Sequence, residues 1–135
     1  MHFELVPPAA LRRVWPDVRA GLEQMPPEDW IPEDVYHAIR SGESALYVGR
    51  GEAGEFVGFV VLRRLVAEFS GTVSCHVWLA FNAGGVGEYD AALQLYQQTA
   101  RQMGATRITF ASPRPGWGKR YRPITTTYEI PLEGA

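Results

Sequence analysis

The stretch between residues 73 and 111 constrains the fold more than any other. Residues 73–81 (VSCHVWLAF) alternate with period two, placing Val73, Cys75, Val77, Leu79 and Phe81 on one side and Ser74, His76, Trp78 and Ala80 on the other, the pattern of a strand. A glycine-rich turn over 82–87 (NAGGVG) follows. A helix is then expected over about 88–103, with Ala92, Leu95, Tyr96, Thr99, Ala100 and Met103 on its buried face and Gly104 as its stop. Residues 106–111 (TRITFA) form the returning strand. A strand–helix–strand unit of this kind closes as a right-handed parallel crossover, so the sheet must contain a parallel pair.

The rest of the chain adds antiparallel strands and two helices. Residues 2–6 predict a short strand ended by Pro7 and Pro8. Leu11, Val14, Trp15, Val18 and Leu22 recur at helical spacing within 9–25, with a kink or late start expected at Pro16 and a stop at Pro26-Pro27. A second helix opens near Pro32, with Glu33 and Asp34 beside its positive end and Ser41-Gly42 closing it. Residues 45–49, 56–69 and 73–81, joined by tight turns, predict an antiparallel meander. Residues 117–121 suit one helical turn, and 124–132 a final strand. The fold class is α/β: one domain over 1–135 with a mixed sheet, antiparallel strands first and one parallel βαβ crossover, flanked by helices on both faces.

Composition narrows the functions. A formal net charge of −2 and a pI near 5.9 argue against a general nucleic-acid binder, which needs a basic face to displace counterions. Arg114, Lys119, Arg120 and Arg122 make a patch, not a basic domain. The lone Cys75, inside an apolar strand, reads as a small core residue. With His2, His37 and His76 too far apart in sequence, no metal site is expected. Residues 1–13 show no secretion signal, and no apolar run approaches the roughly 18 residues of a membrane span.

The element order over nearly the whole chain, and the segment VWLAFNAGGVGEYDAALQLYQQTARQMGATRITF in particular, resembles the GCN5-related N-acetyltransferase (GNAT) superfamily. The tail RPGWGKRYRPITTTYEI is similar to that of short phage-encoded members, in which an Arg-x-Gly-Trp element (here Arg114 to Trp117) follows the fifth strand. The resemblance implies acetyl-CoA as cofactor and transfer to a small-molecule or protein amine. It places Asn82 where the family's pyrophosphate loop has Arg or Gln, with Gly85, Val86 and Gly87 donating backbone N–H groups ahead of a helix. Val77, Trp78 and Leu79 would line the pantetheine arm where the strand splays from its parallel neighbour.

Acetyl transfer to an amine needs a base and an acid. His76, of a residue type that can titrate near neutrality without help, and Glu68 are the candidate bases. The resemblance puts Tyr121 in the region of the family's acid, although the family's neighbouring Asn and Gly-Phe are absent. Arg114 and Trp117 suit an anchor for this segment, or contacts to the adenine 3′-phosphate. The segment 25–36, with Trp30 among Glu28, Asp29, Glu33 and Asp34, reads either as a rim steering a cationic amine or as a solvated helix start.

Two departures support a second reading: Asn82 replaces Arg or Gln, and Glu88 and Asp90 put acidic charge in the helix's first turn. In that reading the chain is a catalytically inactive GNAT-fold binding or structural protein of phage origin, a virion component or host-factor binder. The expected location is cytoplasmic, the host cytoplasm or virion if phage-encoded. A homo-oligomer or a phage or host protein stands open as partner.

Overall fold

In the computed structural model, which describes residues 1–26, 28–83, 89–113 and 115–132, five strands lie side by side in chain order. β1 (His2–Val6), β2 (Ser44–Arg50), β3 (Phe56–Val66) and β4 (Val73–Asn82) form the antiparallel meander. α3 (Tyr89–Met103) then crosses over, and β5 (Arg107–Phe110) lies parallel to β4. α1 (Leu11–Gln24) and α2 (Pro32–Arg40) cover one face and α3 the other. The fold class is the one the periodicity predicts.

β3 divides the two cores by alternation. Phe59 and Val61 join Leu11, Val18, Leu22, Val35 and Ile39 under α1 and α2, while Val60 and Leu62 join Cys75 and Ala100 under α3. α1 lies close to the sheet because Gly21 has no side chain: a Cβ there would sit 2.8 Å from the Phe59 and Phe81 rings. The helix continues through Pro16, preceded by a 3-10 turn at Pro8–Ala10. α2 opens at Pro32, and the Asp34 carboxylate accepts the Ile31 N–H at 3.0 Å. Gly42 and Gly104, at φ +85° and +72°, end α2 and α3 in a conformation that favours glycine. Arg64 Nε donates to the Met103 carbonyl at 3.0 Å, a cation at the negative end of α3.

Two sequence expectations are corrected. The strict alternation of 73–81 breaks at a bulge: Val61 pairs with Leu79 and Leu62 with Val77, leaving Trp78 opposite no residue. Cys75 and Val77 therefore face α3, whereas Leu79 and Phe81 face α1 and α2. The second correction is at the tail. Residues 124–132 alternate as a strand would, but they pair with no strand among the described residues and lie exposed. Alternation reports which side chains share a face, and it does not report whether a partner edge is in reach. The turn expected at 117–121 is a 3-10 turn over Pro115–Lys119.

Candidate active site at the split between β4 and β5

The two parallel strands run together for only four register positions, from Ser74 opposite Arg107 to Val77 opposite Phe110. β4 then continues to Asn82 while pairing with β3 alone. Two features keep β4 with β3 as β5 leaves. The Trp78 bulge adds local twist at the point of separation. Gly58, opposite Asn82, lets the strands approach so closely that a Cβ would clash with the Phe81 carbonyl. Ala83 N–H continues the same side, donating to the Val57 carbonyl at 2.9 Å. Along 78–81 the β4 edge that faced β5 therefore has no ladder partner among the described residues.

The residues singled out from sequence fall as follows. Val77 is at the last paired position and Trp78 at the bulge, both half-buried, and Leu79 is buried beneath α1 and α2. Asn82 ends β4 at the surface, engaged by an interaction of its own. Gly85, Val86, Gly87, Glu88 and Arg114 lie outside the described residues. Glu68 is in the hairpin beyond Val66, past the amino end of β4, roughly 13 Å of strand or more from Val77. The structure does not bring it to the split.

His76 is one residue before the split, on the α1/α2 face, and its Nδ1 lies 2.8 Å from Thr109 Oγ1 on β5. It belongs to a polar row. Ser44, Arg63, His76 and Thr109 are successive register partners across β2, β3, β4 and β5, so their side chains share one face. The Arg63 guanidinium is 5.1 Å from the centre of the Trp78 ring. Burial first, and the Arg63 charge second, hold the His76 pKa below the usual imidazole range. At neutral pH the ring is therefore uncharged and able to accept a proton. Ser44 Oγ and Arg63 Nε are buried with no hydrogen-bond partner among the described residues, a cost on the order of 1–3 kcal/mol each unless a bound group satisfies them. Sequence reasoning missed Arg63 by treating 56–69 as one β-rich run. Its parity with Phe59 and Val61 was the available signal.

Beyond the split, an aromatic cluster gathers at the carboxyl end of β5. Phe110 meets Trp117 edge-on at 5.0 Å and Tyr121 at 6.0 Å, and Trp117 stacks on Tyr121 at 6.0 Å. Trp117 is thus an anchor through an aromatic partner. Arg120 packs here as well: its guanidinium is 4.8 Å from the Tyr89 ring centre in the first turn of α3 and 5.8 Å from that of Tyr121. Cys75 is buried, and Tyr96 half-buried, between α3 and the sheet. Burial, then Tyr89 and Cys75, push the Tyr96 phenol up to about 12, and burial raises the Cys75 thiol, so neither ionises near neutral pH.

The acidic segment before α2 is largely occupied by the chain itself. Glu28 accepts from Trp30 Nε1 at 3.0 Å, and Arg19 bridges Glu23 at 3.0 Å and Glu33 at 2.9 Å. Asp34 serves as the cap described above. Those partners raise the Arg19 pKa and lower that of Glu33. This geometry matches the solvated helix start more closely than an open acidic rim.

An open mixed sheet whose parallel pair parts ahead of a crossover helix defines an α/β fold with one stretch of strand edge left without a ladder partner among the described residues. No family model matches the chain, and no curated protein sequence matches it. Solved structures do. A probable acetyltransferase shares 17% identity, with 100% of both chains covered and a TM-score of 0.71. A ribosomal-protein-alanine N-acetyltransferase from Brucella melitensis biovar Abortus 2308 shares 15% identity over 98% of this chain and 100% of its own, with a TM-score of 0.69. A predicted acetyltransferase with acetyl-CoA from Clostridium acetobutylicum shares 9% identity over 97% of this chain and 96% of its own, with a TM-score of 0.67. The fold is that of the GNAT acetyltransferases.

Proposed function

We propose that the protein is an acyl-CoA-dependent N-acyltransferase that acetylates a small-molecule or protein amine. The observation that carries this reading is the parting of β4 and β5 after Val77 and Phe110, with a neutral His76 immediately before it. Acetyl-CoA, when bound, supplies the thioester-activated acetyl group. The β4 edge over 78–81, which has no ladder partner among the described residues, suits the amides of its pantetheine arm. Gly85, Val86 and Gly87 are assigned by sequence to its pyrophosphate.

The chain's own chemistry is proton movement. In the tautomer whose Nδ1–H donates to Thr109, His76 Nε2 is the acceptor for the ammonium proton of the amine. Thr109 fixes the ring, and Arg63 with burial keeps it deprotonated. Tyr121, whose ring packs against Phe110 at the carboxyl end of β5, would be the acid for a departing thiolate. Glu68 takes no part.

The test is binding followed by turnover. At a hundred times its Kd, acetyl-CoA should add about 2.7 kcal/mol of stability, a shift of several degrees for a domain of this size. His76→Gln should keep that shift and lose on the order of 100-fold or more in turnover with an accepted amine. The absence of any shift at millimolar acetyl-CoA would overturn the proposal. A second reading, a non-catalytic GNAT-fold binding protein, is favoured by Asp90 in the first turn of α3, where its charge already complements the dipole that would attract a phosphate. The phage setting suggested by the Arg114–Trp117 resemblance belongs with it. A thermal shift without turnover on any amine would select this reading.

A further inference from the structure

Arg63 is a donor without an acceptor. Its side chain leaves β3 on the α1/α2 face, half-buried, directly across the ladder from His76. Among the described residues its guanidinium enters no ion pair. It lies 5.1 Å from the centre of the Trp78 ring, and its Nε is buried with no hydrogen-bond partner among those residues. Opposite Arg63 on the other side stands Ser44 of β2, only 6% exposed, whose Oγ is buried and equally without a partner. Residues directly opposite on antiparallel strands bring their Cβ atoms to about 4.5–5.5 Å, so the two unsatisfied groups are neighbours. An arginine can only donate, and a serine hydroxyl can donate too. A half-buried cation with no counter-charge is costly to hold. A ligand that relieves it brings negative charge and acceptor lone pairs.

Position in the sheet says which anion this is. His76, the partner of Arg63, precedes Asn82 by six residues, roughly 20 Å of strand. The CoA pyrophosphate, assigned by sequence to the loop after Asn82, is therefore out of reach. The guanidinium instead leans along β4 from His76 to Trp78, toward the point where β5 leaves. We propose that the acceptor is a free amino acid, its carboxylate received by the Arg63 guanidinium with Ser44 Oγ–H as a further donor, and its amine facing His76. This rests on the acyltransferase reading above and names its substrate class. The planar fork of arginine suits a carboxylate in bidentate form. Because Arg63 and His76 are register partners, the two ends of the ligand must lie close together. They do so on one α-carbon, but not in a lysine side chain or a polyamine. The chemistry is unchanged. The new N–C bond replaces the thioester C–S bond. Of the ammonium protons, one goes to His76 Nε2, one to the departing sulfur, and one stays on the amide nitrogen.

The experiment is a thermal-shift series on the full chain with the common amino acids at millimolar concentration, each beside its own amide, with and without acetyl-CoA. The amide keeps the amine and side chain, loses the negative charge, and reproduces the first residue of a protein. At least one amino acid is expected to stabilise the chain where its amide does not. Arg63→Met should abolish that difference and keep the shift given by acetyl-CoA alone, while Arg63→Lys, which retains the charge without the fork, should preserve part of it. In turnover, the ratio of kcat/KM for acid over amide should fall on the order of 10- to 100-fold in Arg63→Met. A ratio cancels any effect of Arg63 on folding or on the basicity of His76. Amides that stabilise as well as their acids, or a preference for acids that survives Arg63→Met, would overturn the inference. Amino-acid binding without any acetyl-CoA shift would overturn the acyltransferase reading instead, and leave Arg63 and Ser44 as an amino-acid site without a reaction.

Discussion

The two faces of the sheet differ in how completely they are buried. Under α1 and α2, Leu11, Val18, Val35, Leu46, Val48, Phe59 and Val61 are fully buried, from both helices and the sheet. Under α3 only Thr99 and Ala100 of the helix are buried, while Leu95, Tyr96, Met103 and Ile108 remain half-covered, and β5 ends after four residues. The α1/α2 face therefore holds most of the stability. The α3 face, the split and the β5 edge are where apolar surface is still available for a cofactor arm or a partner.

Substitutions can break that contrast in order of size. Phe59→Ala, removing a fully buried ring stacked on Phe81 at 5.6 Å, should cost about 3–5 kcal/mol in chemical denaturation. Gly21→Val should cost about 1–3 kcal/mol by forcing a side chain against Phe59 and Phe81. Leu95→Ala, half-buried under α3, should cost about 1 kcal/mol, and a loss as large as that of Phe59→Ala would erase the distinction between the faces. Smallest is the pH effect of His76. Its folded-state pKa is below its unfolded value of 6.5, so its favourable contribution is present above pH 6.5 and lost as pH falls through the folded value. His76→Gln should flatten that part of a stability profile between pH 7 and 5. An unchanged profile would mean that the ring is not desolvated as described.

The sequence made the architecture legible because its punctuation is local. Pro32, Gly42 and Gly104 mark helix ends by φ alone, and the period-two run at 73–81 fixes the central strand. What it did not expose depends on neighbours. The Trp78 bulge exists only because β3 and β4 differ by one residue in register, and it moves Leu79 and Phe81 to the other face. The row from Ser44 to Thr109 needs four strands in register before it exists at all, so His76 was visible as a candidate and Arg63 was not. The tail has the pattern of a strand, yet pattern alone cannot say whether an edge is within reach.

The account rests on β4 leaving β5 after Val77 so that its edge can receive a ligand. Amide hydrogen exchange with and without acetyl-CoA tests this most directly. Acetyl-CoA should slow exchange across 78–81 while leaving 59–62 on β3 unchanged. Unaltered exchange at 78–81 under saturating acetyl-CoA, or protection there already complete without it, would contradict the account.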